Sequence, residues 1–193
     1  MLDTHSRKWV QPTIEKIGDF FIKHNYSANQ VTVFALIIGC FSGILAYLGA
    51  NILAVIVLWI SGVLDAVDGT IARKKGSTPF GTVMDITFDR IVEISVILGL
   101  AFHYRDSMAW MLLLTCSIIL SMTVFLTTGI MSNKKSEKSF YYQSGVVERT
   151  EAFILLSLML IFVNYLNLIT IIFFLGVLFT AGQRFFQAKQ FLN

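Results

Sequence analysis

The feature that most restricts the fold of this chain is a series of long apolar stretches joined by short polar connections. A helix needs about 20 mostly apolar residues to cross the hydrocarbon core of a bilayer. The composition agrees, because 14% of the 193 residues are charged, whereas soluble domains carry about 25%. The sequence therefore predicts an all-α integral membrane protein. Its six predicted transmembrane helices are residues 31–50, 52–73, 80–102, 108–131, 147–163 and 166–184.

Basic residues are distributed unequally among the segments that flank these helices. On one side of the membrane, the short connections carry one basic residue, Arg105. The other side carries Arg7, Lys8, Lys16, Lys23, Arg73, Lys74, Lys75, Lys134, Lys135, Lys138 and Lys189. By the positive-inside rule, both termini and the loops after the second and fourth helices are cytoplasmic. We therefore predict a multi-pass protein of the cytoplasmic membrane, targeted by its first spanning helix.

The N-terminal segment, residues 1–30, precedes a membrane domain formed by residues 31–193. Pro12 is typical of the first turn of a helix. Ile14, Ile17 and Phe21 follow at helical spacing, with charged residues on the other faces. This pattern predicts an amphipathic helix in the cytoplasmic membrane interface. The alternative is a soluble helix packed on the loops.

Four aspartates lie near the cytoplasmic ends of the second and third predicted helices. Asp65 and Asp68 precede the basic loop by under three turns, and Asp85 and Asp89 follow it at a similar distance. Their spacing places each pair on one helical face. Two facing carboxylate pairs in a low-dielectric site repel each other unless they are protonated or bind a cation. Oxygen ligands in this number suit Mg²⁺, Mn²⁺ or Ca²⁺, so we predict a metal site here.

Small residues and an arginine accompany the aspartates. Gly69, Ala72 and Gly81 remove side chains from the same helical faces, so that a bulky ligand can approach the backbone. Arg73 adds a positive charge suited to a phosphate. Small residues alone more often indicate close helix packing, but beside four acids and an arginine they indicate a phosphorylated ligand.

This segment resembles the signature of the CDP-alcohol phosphotransferases, D-x-x-D-G-x-x-A-R followed after a short spacer by G-x-x-x-D-x-x-x-D. The matching residues are Asp65, Asp68, Gly69, Ala72, Arg73, Gly81, Asp85 and Asp89. The resemblance implies transfer of a phosphatidyl or similar group from a CDP-linked donor, such as CDP-diacylglycerol, to a small alcohol or phospho-alcohol. The reaction releases CMP and belongs to phospholipid biosynthesis. The resemblance also implies two divalent ions, Mg²⁺ or Mn²⁺, a homodimer, and no nucleic-acid partner.

The resemblance also assigns roles to individual residues. Asp65, Asp68 and Asp85 would be the main metal ligands, while Asp89 would contribute to the metal site and act as general base. A short N-terminal pattern of the family matches the start of the first spanning helix, "SANQVT". The residues implied in binding of the CDP donor are Asn29, Thr32, Asp65, Asp68, Gly69, Ala72, Arg73 and Gly81.

Three basic residues are candidates for binding the acceptor. Lys138 lies in the loop after the fourth helix, where surface charge is the alternative. Arg149 begins the fifth helix and would bind an acceptor phosphate or pair with Glu148 or Glu151. Arg184 near the end of the sixth helix would bind an anion or act as a snorkelling anchor. The stretches "ERTE" and "QR" resemble inositol-phosphate-using synthases of the family, and glycerol phosphate or an unphosphorylated alcohol stays open.

A cation transporter is the alternative from a different functional class, because intramembrane acids often mark ion paths. Transporter sites typically lie near the midplane, on interrupted helices or in repeated halves. Here the acids cluster towards one face of the membrane, and no repeat is visible. Arg90 and Glu93, three residues apart, are predicted to pair with each other. The sequence therefore favours an enzyme over a transporter.

Overall fold

The computed structural model describes residues 2–131 and 145–192, and the regular elements in these residues are helical. The α-helices are α1 (Leu2–Lys23), α2 (Ala28–Tyr47), α3 (Asn51–Lys75), α4 (Pro79–His103), α5 (Met108–Met131), α6 (Arg149–Ile161) and α7 (Leu166–Leu192). Short 3₁₀ helices at Arg105–Ser107 and Val163–Tyr165 precede α5 and α7. The predicted all-α class is confirmed, and helices α2 to α7 lie where the six spans were predicted.

Local sequence explains where several of these helices begin and end. Ser27 Oγ accepts the N–H of Gln30, and the Gln30 side chain accepts the N–H of Ser27. This capping box starts α2 three residues before the predicted boundary. Gly76 ends α3 with φ of +100°, a conformation that glycine adopts without steric cost. Pro79 opens α4, where its missing N–H costs nothing.

Four segments have the length and hydropathy of membrane spans. They are Ala28–Tyr47, Asn51–Lys75, Arg105–Met131 and Val163–Gln190. Helix α4 carries four charged residues among its 25, and α6 has 13 residues. A helix of that length rises about 20 Å, less than the ~30 Å hydrocarbon core. The hydropathy of the helices therefore supports a multi-pass membrane protein with four identifiable spans.

The first compact unit of the chain, Met1–His103, is organised around α2, which packs against both α3 and α4. Two side-chain hydrogen bonds link α2 to α3. Ser42 Oγ donates to the carbonyl of Ala54 at 2.8 Å, and Ser61 Oγ donates to the carbonyl of Ala35 at 2.7 Å. These serines satisfy their hydroxyl groups across a helix contact, as polar residues between membrane helices do.

Small residues let α2 and α4 approach closely. A Cβ atom at Gly43 would overlap the backbone carbonyl of Ser95, and a Cβ atom at Gly99 would overlap the carbonyl of Gly43. A Cβ atom at Gly39 would overlap the Val92 side chain. Because backbone lies on both sides of this contact, it cannot yield to a larger residue without moving a helix. The contact fixes the position of α4 relative to α2.

Helix α1 is longer than predicted. It begins at Leu2, and Pro12 lies inside the helix rather than at its first turn, so the predicted start was wrong. A proline removes one backbone hydrogen bond of a helix, and here the helix continues past it. The inner face of α1 packs against α2 and α3 through a buried cluster formed by Ile14, Val31, Val67 and Ile71.

The second compact unit, Tyr104–Asn193, contains α5, α6 and α7. Helix α7 packs against both α5 and α6. The N–H of Val147, just before α6, donates to Thr180 Oγ1 of α7 at 3.0 Å. This bond fixes the entry of the chain into α6.

Candidate active site

Three of the four aspartates come together between α3 and α4. One carboxylate oxygen each from Asp65, Asp68 and Asp85 lies within 4.8 Å of the others. Asp65 and Asp68 are 8% and 4% exposed, and Asp85 is half-buried. Two oxygens that bind one divalent ion at about 2.1–2.4 Å lie at most about 4.2–4.8 Å apart. The spacing and the all-carboxylate donor set therefore fit a shared hard cation such as Mg²⁺ or Mn²⁺.

The arrangement of the aspartates follows from the local fold. A connection of three residues, 76–78, reverses the chain between α3 and α4. The last turns of α3, with Asp65 and Asp68, thus meet the first turns of α4, with Asp85. Both helices pack against α2, so α2 sets the separation across which the three carboxylates meet.

Asp89 lies one turn after Asp85 on α4 and is half-buried. Within the described residues, the group of converging metal-ligand atoms comprises the other three aspartates and does not include Asp89. Its roles as metal ligand and general base stay predictions. The predicted pair next to it is confirmed, because Arg90 Nη2 donates to Glu93 Oε1 at 2.5 Å. Glu93 is 1% exposed, so the pair neutralises a buried carboxylate beside the site.

Arg73 extends over the gap that Gly69 leaves in the helix surface. A Cβ atom at Gly69 would lie 3.5 Å from Arg73 Nη1. Arg73 Nη2 donates to Thr70 Oγ1 at 2.8 Å. Ala72, also in the signature, is half-buried on the same helix. The structure thus places the guanidinium on the last turns of α3, the helix that carries Asp65 and Asp68.

The starts of α2 and α4 meet at Gly81. A Cβ atom there would lie 3.0 Å from both Asn29 Oδ1 and Thr78 Oγ1. Thr78 Oγ1 accepts the N–H of Gly81 at 3.0 Å and caps α4. Thr78 was not predicted as a site residue, although a threonine before a proline is a typical helix start. Thr32 is buried, and its hydroxyl donates to the carbonyl of Ala28 at 2.9 Å.

The two lysines at the end of α3, Lys74 and Lys75, contact the N-terminal segment. Lys74 forms an ion pair with Asp19 of α1, and Lys75 Nζ donates to the carbonyl of Tyr26 at 3.1 Å. From the sequence, these lysines were predicted only to add positive charge. Their contacts tie the end of α3 to α1 and to the connection before α2.

Arg184 is a buried cation in the second unit. It is 7% exposed, its Nη1 donates to Ser121 Oγ at 3.2 Å, and its guanidinium lies 4.9 Å from the centre of the Phe125 ring. A Cβ atom at Gly145 would lie 3.4 Å from Arg184 Nη2. A snorkelling arginine keeps its charged head in water, so this burial argues against the snorkelling alternative.

Arg149 lies at the first residue of α6, and its guanidinium is 5.7 Å from the centre of the Phe153 ring. Glu148 and Glu151 form a capping box at this helix start, in which the Glu151 carboxylate accepts the N–H of Glu148. Both roles predicted for Arg149, in an ion pair and in acceptor binding, stay open. Lys138, the third candidate, lies outside the described residues.

The chain is similar in sequence to a known protein family and to several individual proteins. A family model described as CDP-alcohol phosphatidyltransferase matches residues 25–182. An uncharacterized protein of Aquifex aeolicus is 31% identical over 196 residues, which cover 100% of this chain and 97% of that protein. The phosphatidylinositol phosphate synthase of Corynebacterium glutamicum is 28% identical over 166 residues, which cover 80% of this chain and 71% of that protein.

The fold is also similar to that of a solved membrane enzyme. A crystal structure of phosphatidylinositol phosphate synthase from Mycobacterium tuberculosis with CDP-DAG bound superposes with a TM-score of 0.78. The sequences are 21% identical, and the match covers 91% of this chain and 92% of that chain. A structure of the same enzyme in complex with manganese and citrate gives a TM-score of 0.78, with 19% identity and coverage of 91% and 88%.

Proposed function

This chain belongs to the CDP-alcohol phosphatidyltransferase family, and on that premise we propose that it transfers a phosphatidyl group from CDP-diacylglycerol to a small phosphorylated alcohol. Metal-dependent transfer from a CDP-linked donor to an alcohol hydroxyl, with release of CMP, is the activity of this enzyme class. The observation that carries the proposal is the convergence of Asp65, Asp68 and Asp85 within 4.8 Å. A site of this kind fits divalent ions that bind a diphosphate.

The chain's own residues supply binding and proton transfer. Asp65, Asp68 and Asp85 would hold the metal, with Asp89 contributing to the metal site. Divalent ions bound there would supply charge neutralisation for the diphosphate and for the attacking and leaving oxygens. Asp89 takes the proton of the acceptor hydroxyl. The acceptor oxygen then forms a bond to the phosphorus that carries the lipid, and the bond from that phosphorus to CMP breaks.

The donor site combines polar and apolar features of the first unit. Arg73 binds the diphosphate, and the small side chains of the signature admit the nucleotide to the helix surface. Asn29, Thr32, Gly69, Ala72 and Gly81 border the nucleotide. An open apolar groove of about 520 Å³, lined by Ile17 of α1 and by residues of α3 from Val55 to Leu64, supports a donor with lipid tails.

A phosphorylated acceptor is supported by the cations of the second unit. Arg184 is buried, and a buried arginine offers a fork of donors that suits a phosphate. Arg149 and Lys138 are further ligands in this proposal. Inositol phosphate is the first candidate, because the characterised relatives compared above are named phosphatidylinositol phosphate synthases.

The proposed enzyme spans the cytoplasmic membrane six times, with its termini and active site on the cytoplasmic side. The charges that lower the hydropathy of α4 belong to the site and its neighbours, so they do not argue against crossing. Helix α1 lies in the interface, which agrees with the 58% exposure of Phe20 on a helix whose inner face is packed. By family resemblance the protein is a homodimer.

The proposal is tested by release of CMP from CDP-diacylglycerol by the purified protein with Mg²⁺ or Mn²⁺. The panel of acceptors contains inositol phosphate, glycerol phosphate and their unphosphorylated alcohols. We expect CMP with inositol phosphate and little with inositol. An Asp68→Ala variant is the negative control for metal-dependent chemistry. Release of CMP with an unphosphorylated alcohol alone would contradict the proposed acceptor class, and no release with any acceptor would contradict the proposed donor.

A further inference from the structure

The strongest feature beyond the signature residues is the contact between Thr70 and Arg73. We propose that Thr70 is a positioning residue, which orients Arg73 towards the diphosphate of the donor. The inference rests on the proposed function, since it takes Arg73 to bind that diphosphate. Thr70 occupies a variable position of the signature, between Gly69 and Ala72.

The hydrogen bonds of Thr70 give its oxygen a defined direction. Its hydroxyl donates to the carbonyl of Ala66 at 3.1 Å, one turn earlier in α3. A hydroxyl has one proton and two acceptor positions. With the proton directed at Ala66, the same oxygen accepts Arg73 Nη2 at 2.8 Å. Thr70 is 2% exposed, so a buried acceptor holds one guanidinium nitrogen of an exposed arginine.

The Thr70 methyl group packs against α1. A Cβ atom at the buried Gly18 would lie 3.5 Å from Thr70 Cγ2 and 3.8 Å from Thr70 Cβ. The backbone of α1 therefore lies directly over the methyl group. Because a β-branched side chain has few allowed rotamers in a helix, the packed methyl fixes where the hydroxyl points. Asp19, next to Gly18, holds α1 in place through its ion pair with Lys74.

The consequence for Arg73 is a guanidinium with a restricted orientation. Nη2 is held at Thr70, and Nη1 lies over Gly69, 3.5 Å from the position of a Cβ atom there. A guanidinium has five N–H donors in a fixed fork, so a bond to Thr70 is compatible with a bidentate bond to a phosphate. An arginine ordered before the donor arrives loses less conformational entropy on binding. Thr70 thus raises donor affinity without touching the donor.

The experiment compares four variants of the full-length protein: Thr70→Val, Thr70→Ser, Arg73→Ala and the double variant Thr70→Val/Arg73→Ala. Valine keeps the shape of threonine and removes the hydroxyl, whereas serine keeps the hydroxyl. The matched control is Thr170→Val. Thr170 is also buried in a helix and donates to a carbonyl one turn earlier, that of Leu166.

The readouts are the dissociation constant for CDP-diacylglycerol with Mn²⁺, the KM of each substrate, and the Tm. For Thr70→Val we expect a donor dissociation constant and KM raised about tenfold, with an unchanged acceptor KM. The Tm should change no more than in Thr170→Val. Thr70→Ser should recover most of the affinity. The double variant should bind the donor no more weakly than Arg73→Ala, because Thr70 acts through Arg73.

Each contrary result has a distinct meaning. Wild-type donor affinity in Thr70→Val, with weakened binding in Arg73→Ala, would overturn the role of Thr70 and leave that of Arg73 intact. Additive losses in the double variant would also overturn it. Wild-type affinity in Arg73→Ala would overturn both the inference and the proposed role of Arg73. Absence of CMP release from the wild-type protein with every acceptor would instead contradict the proposed function.

Discussion

Replacing Asp68 by asparagine should have opposite effects on the stability of the protein without and with a divalent cation. Without metal, Asp68 repels Asp65 and Asp85, whose oxygens lie within 4.8 Å. The variant should therefore unfold at a higher temperature than the wild type when a chelator is present. With Mn²⁺ the wild type should gain stability that the variant does not, because the variant has lost one anionic ligand.

The size of the effect follows from the geometry of the three carboxylates. Two unit charges at the 4.8 Å limit of this cluster repel by about 3.5 kcal/mol at an effective dielectric constant of about 20. Neutralising Asp68 removes two such pairs, about 7 kcal/mol before protonation of the metal-free cluster and solvent screening are considered. Burial of an imperfectly bonded amide offsets about 1–3 kcal/mol of this. Protonation of the metal-free cluster and solvent screening remove more than half of the remaining about 4–6 kcal/mol. We therefore expect about 2 kcal/mol net, which raises the Tm by about 4–8 °C in a chain of this length.

The assay is thermal unfolding of purified protein in detergent, with EDTA and then with increasing Mn²⁺. At one hundred times its dissociation constant, Mn²⁺ stabilises the wild type by about 2.7 kcal/mol, while Asp68→Asn should show a much smaller shift. The control is Asp106→Asn, which makes the same chemical change at an exposed residue outside the cluster. A lower Tm than the wild type in EDTA, or an equal shift with Mn²⁺, would refute this reasoning.

Three further substitutions test other parts of the site. Asp89→Asn should abolish CMP release and leave binding of CDP-diacylglycerol largely intact, because it removes the base; loss of binding as well would contradict that role. Arg149→Ala should raise the acceptor KM when the acceptor carries a phosphate, and an unchanged KM would favour an internal ion pair. Gly43→Ala should cost about 1–3 kcal/mol in unfolding free energy, since its Cβ would overlap the Ser95 carbonyl; a wild-type Tm would argue against that close contact.

The convergence of the three aspartates was predictable because helical periodicity and a short loop determine it. Spacings of three and four residues put Asp65 and Asp68 on one face of a helix. A connection too short to do anything but reverse the chain then brings Asp85 opposite them. The three carboxylates converge as the spacing predicts, and their role as metal ligands stays a prediction. Helical periodicity does not decide whether Asp89 acts as a metal ligand, as a base or as both, because these roles depend on distances of a few ångströms.

Other features depend on tertiary contacts that no local sequence pattern predicts. The ion pair of Lys74 with Asp19 joins residues 55 positions apart, so neither residue alone predicts it. The bond from Arg73 to Thr70 is local, but the orientation of Thr70 depends on α1 packing over its methyl group. The predicted start of α1 was wrong because proline is common in the first turn of a helix but can also lie within a helix at the loss of one hydrogen bond.

The four charged residues that distinguish α4 from the four identifiable spans lie in or next to the candidate site. Asp85 and Asp89 are signature residues, and the paired Arg90 and Glu93 lie directly after them. In the proposed enzyme α4 carries a metal ligand and a base within the bilayer, and charged residues inside a membrane helix usually face a functional site or one another. Further along α4, Val96, Ile97 and Leu100 are buried apolar residues, and Gly99 packs closely against Gly43 of α2. The four charged residues of α4 therefore agree with the proposed placement of carboxylates beside a phosphorylated lipid substrate, while the rest of the helix has the apolar character of a span.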